Sequence, residues 1–197
     1  MAGGANPGAK DVLRSKVLAA RQALPAEYRD KASLAMTAAL RSLAVYQEAQ
    51  SIFVYASTPD EVQLYDLMAA ALQAGKTVTL PLITGPRQME AVVLRSLKDL
   101  VPGRYGIKTV APDKRKLFPA AAIGLIIVPG AAFTADGQRL GLGGGFYDTF
   151  MAEKAPQAYR LALAYDCQLV ESVPVEPHDM SVDMILTESK CLKVSDK

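Results

Sequence analysis

Apolar and polar residues first recur along the chain with a helical period. Residues 11–24 are rich in Ala, Leu, Lys and Arg, which favour helix, and Pro25 ends this run. Proline also suits the first turn of a helix, so a second helix is predicted from Pro25 to about Leu43. Its predicted apolar face consists of residues spaced three or four apart: Tyr28, Ala32, Ala35, Ala39 and Leu43.

Short apolar runs then alternate with helical segments. Strands are predicted at residues 51–56, 77–80, 89–95, 125–128, 160–164 and 184–186, with Pro81 closing the second. Helices are predicted at residues 62–73, with Gly75 as a stop, and at 146–153. This alternation predicts an α/β domain with a mostly parallel sheet. Ligands of such sheets bind at the carboxyl ends of strands, which directs attention to the loops after Val54-Tyr55 and Val128.

Composition narrows the function classes. The 197 residues suit one domain, with residues 1–9 predicted as a flexible terminus and 10–197 as the domain. A net charge of +2 argues against nucleic acid or an acidic membrane surface as partner. No run is apolar and long enough for a membrane span, and the two cysteines predict free thiols in a reducing cytoplasm.

The segment from Gly137 to Asp148 (GQRLGLGGGFYD) is the most unusual in the sequence. Glycines let backbone N–H groups approach a ligand closely, and successive N–H groups before a helix form an anion site. Arg139 could add a cation for phosphate, and Asp148 could hold magnesium. The segment matches neither a Walker A motif nor the dinucleotide fingerprint, and a tightly turning loop without a ligand stays an alternative.

Two further features have both a functional and an ordinary structural interpretation. Lys10 and Arg14 lie four apart on a predicted helix, so they could clamp a polyphosphate or could form a solvated face. Glu61 follows the first strand and could accept hydrogen bonds from a heterocycle, or could complement a helix dipole.

The remaining polar candidates are less specific. His178, the only histidine, has no obvious partner and is more typical of a structural residue than of a catalyst. Asp183 could bind a metal ion together with Asp148. Five cations between Arg104 and Lys116 form either a solvated loop or an attractive field for an anionic substrate tail.

Taken together, these residues resemble the 5-formyltetrahydrofolate cyclo-ligase family. The most specific match is VPGAAFTADGQRLGLGGGFYD at residues 128–148, followed by LALAYDCQLVESVPVEPHDMSVDMILTE at residues 161–188. The early Lys10-x-x-x-Arg14 and Glu61 occur in the family's order. The sequence differs from the usual family pattern at Gly124, Phe146 and Thr149.

The resemblance implies a three-layer α/β sandwich of the type shared with sugar-phosphate isomerases and CoA transferases. It implies ATP, Mg²⁺ and 5-formyltetrahydrofolate as ligands of a cytoplasmic monomer, with Arg139 and Tyr147 in catalysis and Asp148 and Asp183 on magnesium. The implied ATP-binding residues are Lys10, Arg14, Arg139, Leu140, Gly141, Gly143, Gly144, Gly145 and Tyr147. The implied folate-binding residues are Tyr55, Ala56, Glu61, Leu142, Gly143, Gly144, Gly145 and Phe146.

The implied reaction is the ATP-dependent closure of 5-formyltetrahydrofolate to 5,10-methenyltetrahydrofolate, through phosphorylation of the formyl oxygen. It needs positioning and charge neutralisation rather than a protein nucleophile. The alternatives are a non-catalytic protein that binds folate or nucleotide, and a nucleic-acid binder that uses the basic first helix. The near-neutral net charge argues against the second.

Overall fold

A computed structural model describes residues 7–103 and 106–194. Its helices are α1 (Pro7–Gln22), α2 (Ala26–Ser42), α3 (Ala44–Glu48), α4 (Tyr65–Gln73) and α5 (Phe146–Thr149), the last continuing as a π-helical turn (Phe150–Lys154). Its strands are β1 (Ser51–Phe53), β2 (Thr77–Gly85), β3 (Gln88–Leu94), β4 (Leu100–Pro102), β5 (Lys108–Val110), β6 (Leu117–Phe118), β7 (Leu125–Ile127), β8 (Ala132–Phe133), β9 (Arg139–Leu140), β10 (Tyr159–Leu163), β11 (Met184–Leu186) and β12 (Cys191–Lys193).

One eight-stranded sheet runs through the molecule in the order β12-β11-β10-β7-β1-β2-β3-β6. β1 is parallel to both β2 and β7, and β10 is parallel to both β7 and β11. β12 on one side and β3 and β6 on the other are added antiparallel. The mostly parallel sheet predicted from the sequence is therefore confirmed, with antiparallel strands at its edges.

Apolar side chains from the sheet pack into a core on each face. Within β1, Ile52 contributes to the core beneath α2 and α4, whereas Phe53 contributes to the core beneath α5 and the π-helical turn. Phe53 stacks on Phe150 there, with ring centroids 4.7 Å apart. Because successive strand residues point to opposite faces, an apolar run such as SIFVYA indicates a strand covered on both sides. The layers are helix, sheet and helix.

The first helix begins earlier than the predicted domain boundary. Residues 1–6 lie outside the described residues, and α1 already begins at Pro7, three residues before the predicted domain boundary. Proline is favoured in the first turn of a helix, which is consistent with that start. No helix in the described ranges combines the length and apolar character that crossing a membrane requires. Both cysteines are free, as predicted.

The predicted apolar face of α2 is wrong in part: Ala32 is buried and Leu43 packs against the core, but three of the five residues are exposed. Ala35 and Ala39 are exposed, and Tyr28 is 42% exposed. The reason is that polar side chains on the neighbouring stripe find partners inside the protein: the Ser33 hydroxyl lies 3.3 Å from the Tyr165 hydroxyl, and Thr37 donates to the Ser33 carbonyl. The buried stripe consists of Ala32, Ser33, Met36, Thr37 and Leu40.

Two predicted element boundaries are also wrong. Pro81 does not close β2 but lies inside it, paired with Ala91 of β3. This is possible because the pairing with β1 stops at Thr79, so no strand on that side requires a backbone N–H from residue 81, which proline lacks. The helix predicted from residue 62 begins only at Tyr65, because the Ser57 hydroxyl bonds the Val62 carbonyl and the Leu64 N–H and holds this backbone outside the helix.

Candidate active site

A cleft of about 610 Å³ opens where β1 and β7 end. Tyr55 and Ala56 follow β1 and Pro129 follows β7, so the two loops that the sequence singled out do meet at the carboxyl edge of the sheet. The opposite wall comes from the end of β2 and from the β4–β5 hairpin. Of the predicted site residues, those lining the cleft are Tyr55, Ala56, Glu61, Arg139, Gly141, Leu142, Gly144, Gly145, Phe146, Tyr147 and Asp148.

The glycine-rich loop owes its course to backbone conformations that other residues rarely adopt. Gly143 and Gly145 have φ of 102° and 67°, and Gly145 is the residue directly before α5. Leu142 lines the cleft and is 48% exposed, which leaves its apolar surface available to a ligand. Leu140 instead packs beneath the loop against α1, with Val17 in the same apolar cluster.

Arg14 and Lys10 occupy different surroundings although both lie on α1. Arg14 reaches the glycine-rich loop, where its Nε donates to the Gly141 carbonyl at 3.0 Å, and its guanidinium lies beside Gly143. Lys10 donates through Nζ to Glu176 at 2.8 Å and to Asp179 at 2.7 Å. Neither cation lines the cleft itself. Arg14 therefore borders the loop directly, and Lys10 lies one helical turn away within an ion-pair cluster.

Arg139 and Asp148 form a buried ion pair between the loop and the rest of the protein. The guanidinium of Arg139 donates to Asp148 Oδ1, to the Pro129 carbonyl at 3.1 Å and to the Met180 carbonyl at 3.4 Å. Asp148 Oδ1 also accepts from the Met180 N–H at 3.0 Å. Arg139 thus faces the cleft while bonding two backbone carbonyls and one carboxylate, a structural task that the sequence did not reveal.

Asp183 has different hydrogen-bond partners from Asp148. It directly precedes β11, and its Oδ2 accepts from the Arg160 N–H at 2.7 Å. Asp183 does not line the cleft, whereas Asp148 does. A role for Asp183 as a second magnesium ligand stays a prediction.

His178 belongs to a cluster outside the cleft. Its Nε2 lies 3.6 Å from Glu176 Oε2 and 3.9 Å from Asp179 Oδ1. Its side chain is 59% exposed, and the two carboxylates beside it are the ones that hold Lys10. The histidine therefore has two acidic partners, Glu176 and Asp179, and none of the three residues lines the cleft.

Glu61 presents a buried carboxylate to the cleft. Only 8% of the residue is exposed, and Oε2 accepts from the Thr58 N–H at 2.8 Å. Burial raises the pKa of Glu61, although the Thr58 N–H and the positive charge of Arg21 oppose that effect. A ligand with N–H donors would satisfy this carboxylate.

Tyr147 has a buried hydroxyl that forms no hydrogen bond with any residue the structure describes. Burial raises the pKa of Tyr147 far above its usual range, and the nearby Glu61 carboxylate adds to this effect. Burial likewise raises the pKa of Tyr55, again with a contribution from Glu61. Tyr147, Tyr55 and Glu61 therefore lie near one another in a part of the cleft where the protein supplies few hydrogen bonds. A polar ligand group could supply the missing ones.

The cleft also has a wall that sequence reasoning missed. Ile83 of β2 and Ile107 before β5 line it while being 43% and 40% exposed. The apolar run that continues past Pro81 was the available signal for the first of them. Two of the five cations of the 104–116 stretch, Lys108 and Arg115, line the cleft as well; Arg104 lies outside the described residues.

Known proteins resemble this chain over nearly its whole length. A model of the 5-formyltetrahydrofolate cyclo-ligase family matches residues 6–188. The 5-formyltetrahydrofolate cyclo-ligase of Mus musculus is 30% identical over 196 residues, covering 91% of this chain and 94% of its own length. The protein of the same name from Escherichia coli (strain K12) is 34% identical over 145 residues, covering 72% and 80%.

Solved structures share the fold. The NMR structure of Aquifex aeolicus 5,10-methenyltetrahydrofolate synthetase matches with a TM-score of 0.84 at 29% identity, covering 95% of this chain and 94% of that one. A 5,10-methenyltetrahydrofolate synthetase from Mycoplasma pneumoniae matches with a TM-score of 0.74 at 20% identity, covering 91% and 98%. At that lower identity the likeness concerns the fold alone.

Proposed function

This chain belongs to the 5-formyltetrahydrofolate cyclo-ligase family, a family of enzymes, and we propose that it uses ATP and magnesium to close 5-formyltetrahydrofolate to 5,10-methenyltetrahydrofolate. The observation that carries this proposal is a single cleft, lined by the buried Glu61 carboxylate and by the glycine-rich loop. A pterin offers N–H donors to the Glu61 carboxylate, and a polyphosphate accepts hydrogen bonds from the backbone N–H groups of the glycine-rich loop. One cleft can therefore bring the two substrates together.

The folate would bind between the end of β1 and the apolar wall. Glu61 would accept hydrogen bonds from the amino group and ring N–H of the pterin, beside Tyr55 and Ala56. Leu142 and Phe146 offer apolar surface to the rings, and Gly144 and Gly145 allow close approach. Lys108 and Arg115 supply positive charge for the carboxylates of the folate tail.

The nucleotide would bind along residues 139–147. The segment from Gly141 to Gly145 supplies backbone N–H groups, with Arg14 beside it and Lys10 one helical turn further along α1. Arg139 faces the cleft with N–H groups beyond those that bond Pro129, Met180 and Asp148. Tyr147 brings an O–H group without a partner among the described residues.

Asp148 has one carboxylate oxygen that suits magnesium. Its Oδ1 is engaged with Arg139 and Met180, and Oδ2 makes no hydrogen bond within the described ranges. Mg²⁺ commonly takes one or two carboxylates and completes its coordination with water and phosphate oxygens, so the residues present are compatible with the ion. When bound, it would neutralise charge on the phosphates.

The chemistry then needs orientation more than reactive protein groups. The formyl oxygen attacks the γ-phosphorus of ATP, the bond to the β–γ bridging oxygen breaks, and ADP leaves. N10 of the folate loses its proton and attacks the formyl carbon, and the phosphorylated oxygen departs as inorganic phosphate. Arg139, Tyr147 and the loop N–H groups would hold the phosphoryl group in line and stabilise its charge.

An absorbance assay tests the proposal. Purified protein, magnesium and 5-formyltetrahydrofolate are mixed with and without ATP, and the near-ultraviolet band of the methenyl product is recorded. We expect the band to grow only when ATP is present. A folded protein that binds folate tightly but forms no product with ATP would instead be a folate-binding protein that retains the fold.

A further inference from the structure

Arg21 of α1 holds residues 58–61, the turn that carries Glu61. Its guanidinium donates from Nε and from Nη2 to Asp60 Oδ2, at 3.1 and 2.6 Å. The arginine side chain is 7% exposed and the aspartate side chain 21%, so solvent screens this ion pair much less than it screens a pair on the surface. Arg21 does not line the cleft, and its effect on a ligand there is therefore indirect.

Hydrogen bonds connect Asp60 to the Glu61 carboxylate through Thr58. Asp60 Oδ1 accepts from the Thr58 hydroxyl at 2.9 Å, and the Thr58 N–H donates to Glu61 Oε2 at 2.8 Å. The Gln63 side chain donates to the carbonyls of Thr58 and Glu61, both at 2.8 Å, and closes the turn. Arg21 therefore fixes one side of a turn whose other side presents a carboxylate to the cleft.

We propose that Arg21, acting through Asp60, is a positioning residue that fixes the Glu61 carboxylate in the orientation that accepts the N–H donors of the folate pterin. A turn that is held in place before the ligand arrives loses less conformational freedom on binding, and the affinity is higher for that reason. Arginine suits this task because its planar guanidinium directs several N–H groups at once. The inference rests on the proposed function, because it assigns Glu61 to folate.

The charge of Arg21 also favours the ionised form of Glu61. Burial raises the pKa of Glu61, the Thr58 N–H and the Arg21 charge lower it, and the Asp60 charge raises it. Removing the Arg21 charge would therefore leave Asp60 uncompensated and raise the pKa of Glu61 further. The hydroxyl groups near this carboxylate stay neutral at neutral pH, because burial raises their pKa values: Tyr55, Tyr65 and Tyr147.

The test is calorimetric titration of the protein with 5-formyltetrahydrofolate, from pH 8 down to about pH 5. We expect Arg21→Met to weaken folate binding about tenfold at neutral pH, the size of one charge-assisted hydrogen bond, and to change MgATP binding less than about twofold. Affinity for folate should fall as pH falls through the pKa of Glu61. In Arg21→Met this decline should occur at a higher pH, whereas a merely structural effect would weaken binding by the same factor at every pH.

Two conservative variants keep the test informative if Arg21→Met does not fold. Arg21→Lys keeps the charge but not the planar group, so it should retain the pH dependence of the unmodified protein and recover only part of the affinity. Asp60→Asn keeps an acceptor for Arg21 but exchanges a charge-assisted hydrogen bond for a neutral one, which should weaken folate binding about threefold. Its decline should move to a lower pH, because the charge that raises the pKa of Glu61 is removed.

A control variant and a double variant separate positioning from general destabilisation. Lys16 lies on α1 as well but is exposed, and Lys16→Met should leave folate binding and its pH dependence unchanged. If Arg21 acts through Glu61, then Arg21→Met combined with Glu61→Gln should bind folate no more weakly than Glu61→Gln alone. Unchanged folate affinity in the folded Arg21 and Asp60 variants, pH profiles that do not move, or fully additive losses in the double variant would overturn the inference.

These titrations also distinguish failure of the inference from failure of the proposed function, because they need neither ATP nor turnover. If the unmodified protein binds 5-formyltetrahydrofolate but forms no methenyl product with MgATP, the proposed reaction is wrong. A coupled, pH-shifted loss of folate affinity in the Arg21 variants would then still support the positioning role. Absence of 5-formyltetrahydrofolate binding by the unmodified protein would overturn both.

Discussion

At the scale of single residues, two buried polar groups in the cleft carry a cost that the folded chain alone does not relieve. Glu61 offers a carboxylate with one backbone N–H as its partner, and Tyr147 offers a hydroxyl with none among the described residues. A buried polar group without a hydrogen bond destabilises the fold by about 1–3 kcal/mol. Such groups are typical of sites where a ligand supplies the missing hydrogen bond. Replacing either group should therefore change both the stability of the free protein and its activity.

Replacing Glu61 by glutamine should separate folate binding from nucleotide binding. The amide keeps an acceptor for the Thr58 N–H but loses the charge that would attract the pterin N–H groups. We expect the KM for folate to rise about tenfold, which corresponds to one charge-assisted hydrogen bond, while the KM for ATP changes less than twofold. Steady-state kinetics with each substrate varied in turn measures both. Equal increases in the two constants would contradict a pterin-binding role.

The same substitution should stabilise the free protein in a pH-dependent way. Burial raises the pKa of Glu61 above its ordinary value of 4.5, so the folded state binds this proton more tightly than the unfolded chain does. Stability is therefore lost as pH rises from the ordinary value through the raised one. Glu61→Gln should melt at a higher temperature than the unmodified protein at pH 8 and at nearly the same temperature at pH 4. A difference independent of pH would contradict this assignment.

Removing the Tyr147 hydroxyl should affect turnover and leave stability intact. Because that hydroxyl makes no hydrogen bond within the described ranges, Tyr147→Phe should leave the melting temperature unchanged or slightly higher. We expect kcat to fall about tenfold or more, which corresponds to the loss of one hydrogen bond to a charged group in the transition state.

Tyr165 is the matched control, since its buried hydroxyl does have partners. It donates to the Glu61 carbonyl at 3.2 Å and contacts the Ser33 hydroxyl. Tyr165→Phe should cost about 1 kcal/mol in the free energy of unfolding. A loss of stability in Tyr147→Phe as large as in Tyr165→Phe would show that the Tyr147 hydroxyl supports the fold.

Residue types in the sequence indicated which side chains could reach a ligand, but not what else they contact. Glu61 could be predicted because it follows a buried strand, and its position at the cleft is as expected. The burial of Arg139 could not be predicted, because its partners Pro129 and Met180 are brought together only by the complete fold. For the same reason the sequence did not reveal that Asp183 bonds the backbone of β10.

At the scale of elements, the glycine-rich loop depends on left-handed backbone at particular positions. Gly145 has φ of 67° directly before α5, and Gly75 has φ of 76° after α4, far from the cleft lining. An added methyl group at Gly75 would meet nothing within 4 Å, and one at Gly145 would lie 3.3 Å from Nε of Arg87. The two glycines therefore form a matched pair with similar backbone strain but different surroundings.

Alanine at these two glycines should separate strain from function. Each substitution places a side chain in the left-handed region, which costs about 1–2 kcal/mol, so both variants should lose similar stability in urea unfolding. Only Gly145→Ala should raise the KM for ATP, by roughly tenfold, because only that backbone is proposed to contact phosphate. If Gly75→Ala weakens ATP use equally, the effect of Gly145→Ala arises from general destabilisation.

Hydrophobic patterns predicted two kinds of element poorly: a helix that buries polar side chains, and a strand that extends beyond one of its neighbours. The predicted face of α2 was wrong in part because Ser33 and Thr37, rather than Ala35 and Ala39, are buried, and their hydroxyls have hydrogen-bond partners inside the protein. β2 ran past Pro81 because β1 is shorter than its neighbour. The periodicity of apolar residues predicts which positions are buried. It does not predict which hydrogen-bond partner or neighbouring strand a residue will have.

At the scale of the whole molecule, the central strands were predictable and their edges were not. β1, β7 and β11 are buried along their full length, so their uninterrupted apolar runs indicate strands covered on both faces. The antiparallel edge strands β6 and β12 are short and partly exposed, and their sequences show no such run. The position of the cleft followed from the strand order, because the carboxyl ends of β1 and β7 are adjacent.

Because one cleft is proposed to hold both substrates, each of them should stabilise the entire domain. A ligand at about 100 times its Kd adds about 2.7 kcal/mol to the free energy of unfolding, which for a chain of this size raises the melting temperature by roughly 5–10 °C. We expect such a shift with 5-formyltetrahydrofolate, a separate one with magnesium and a non-hydrolysable ATP analogue, and a larger one with both. Glu61→Gln, at the same folate concentration, should reduce the folate shift and preserve the nucleotide shift. If both shifts shrink together in that variant, the two ligands do not occupy separable parts of the cleft, and the assignment of Glu61 to folate and residues 139–147 to nucleotide is wrong.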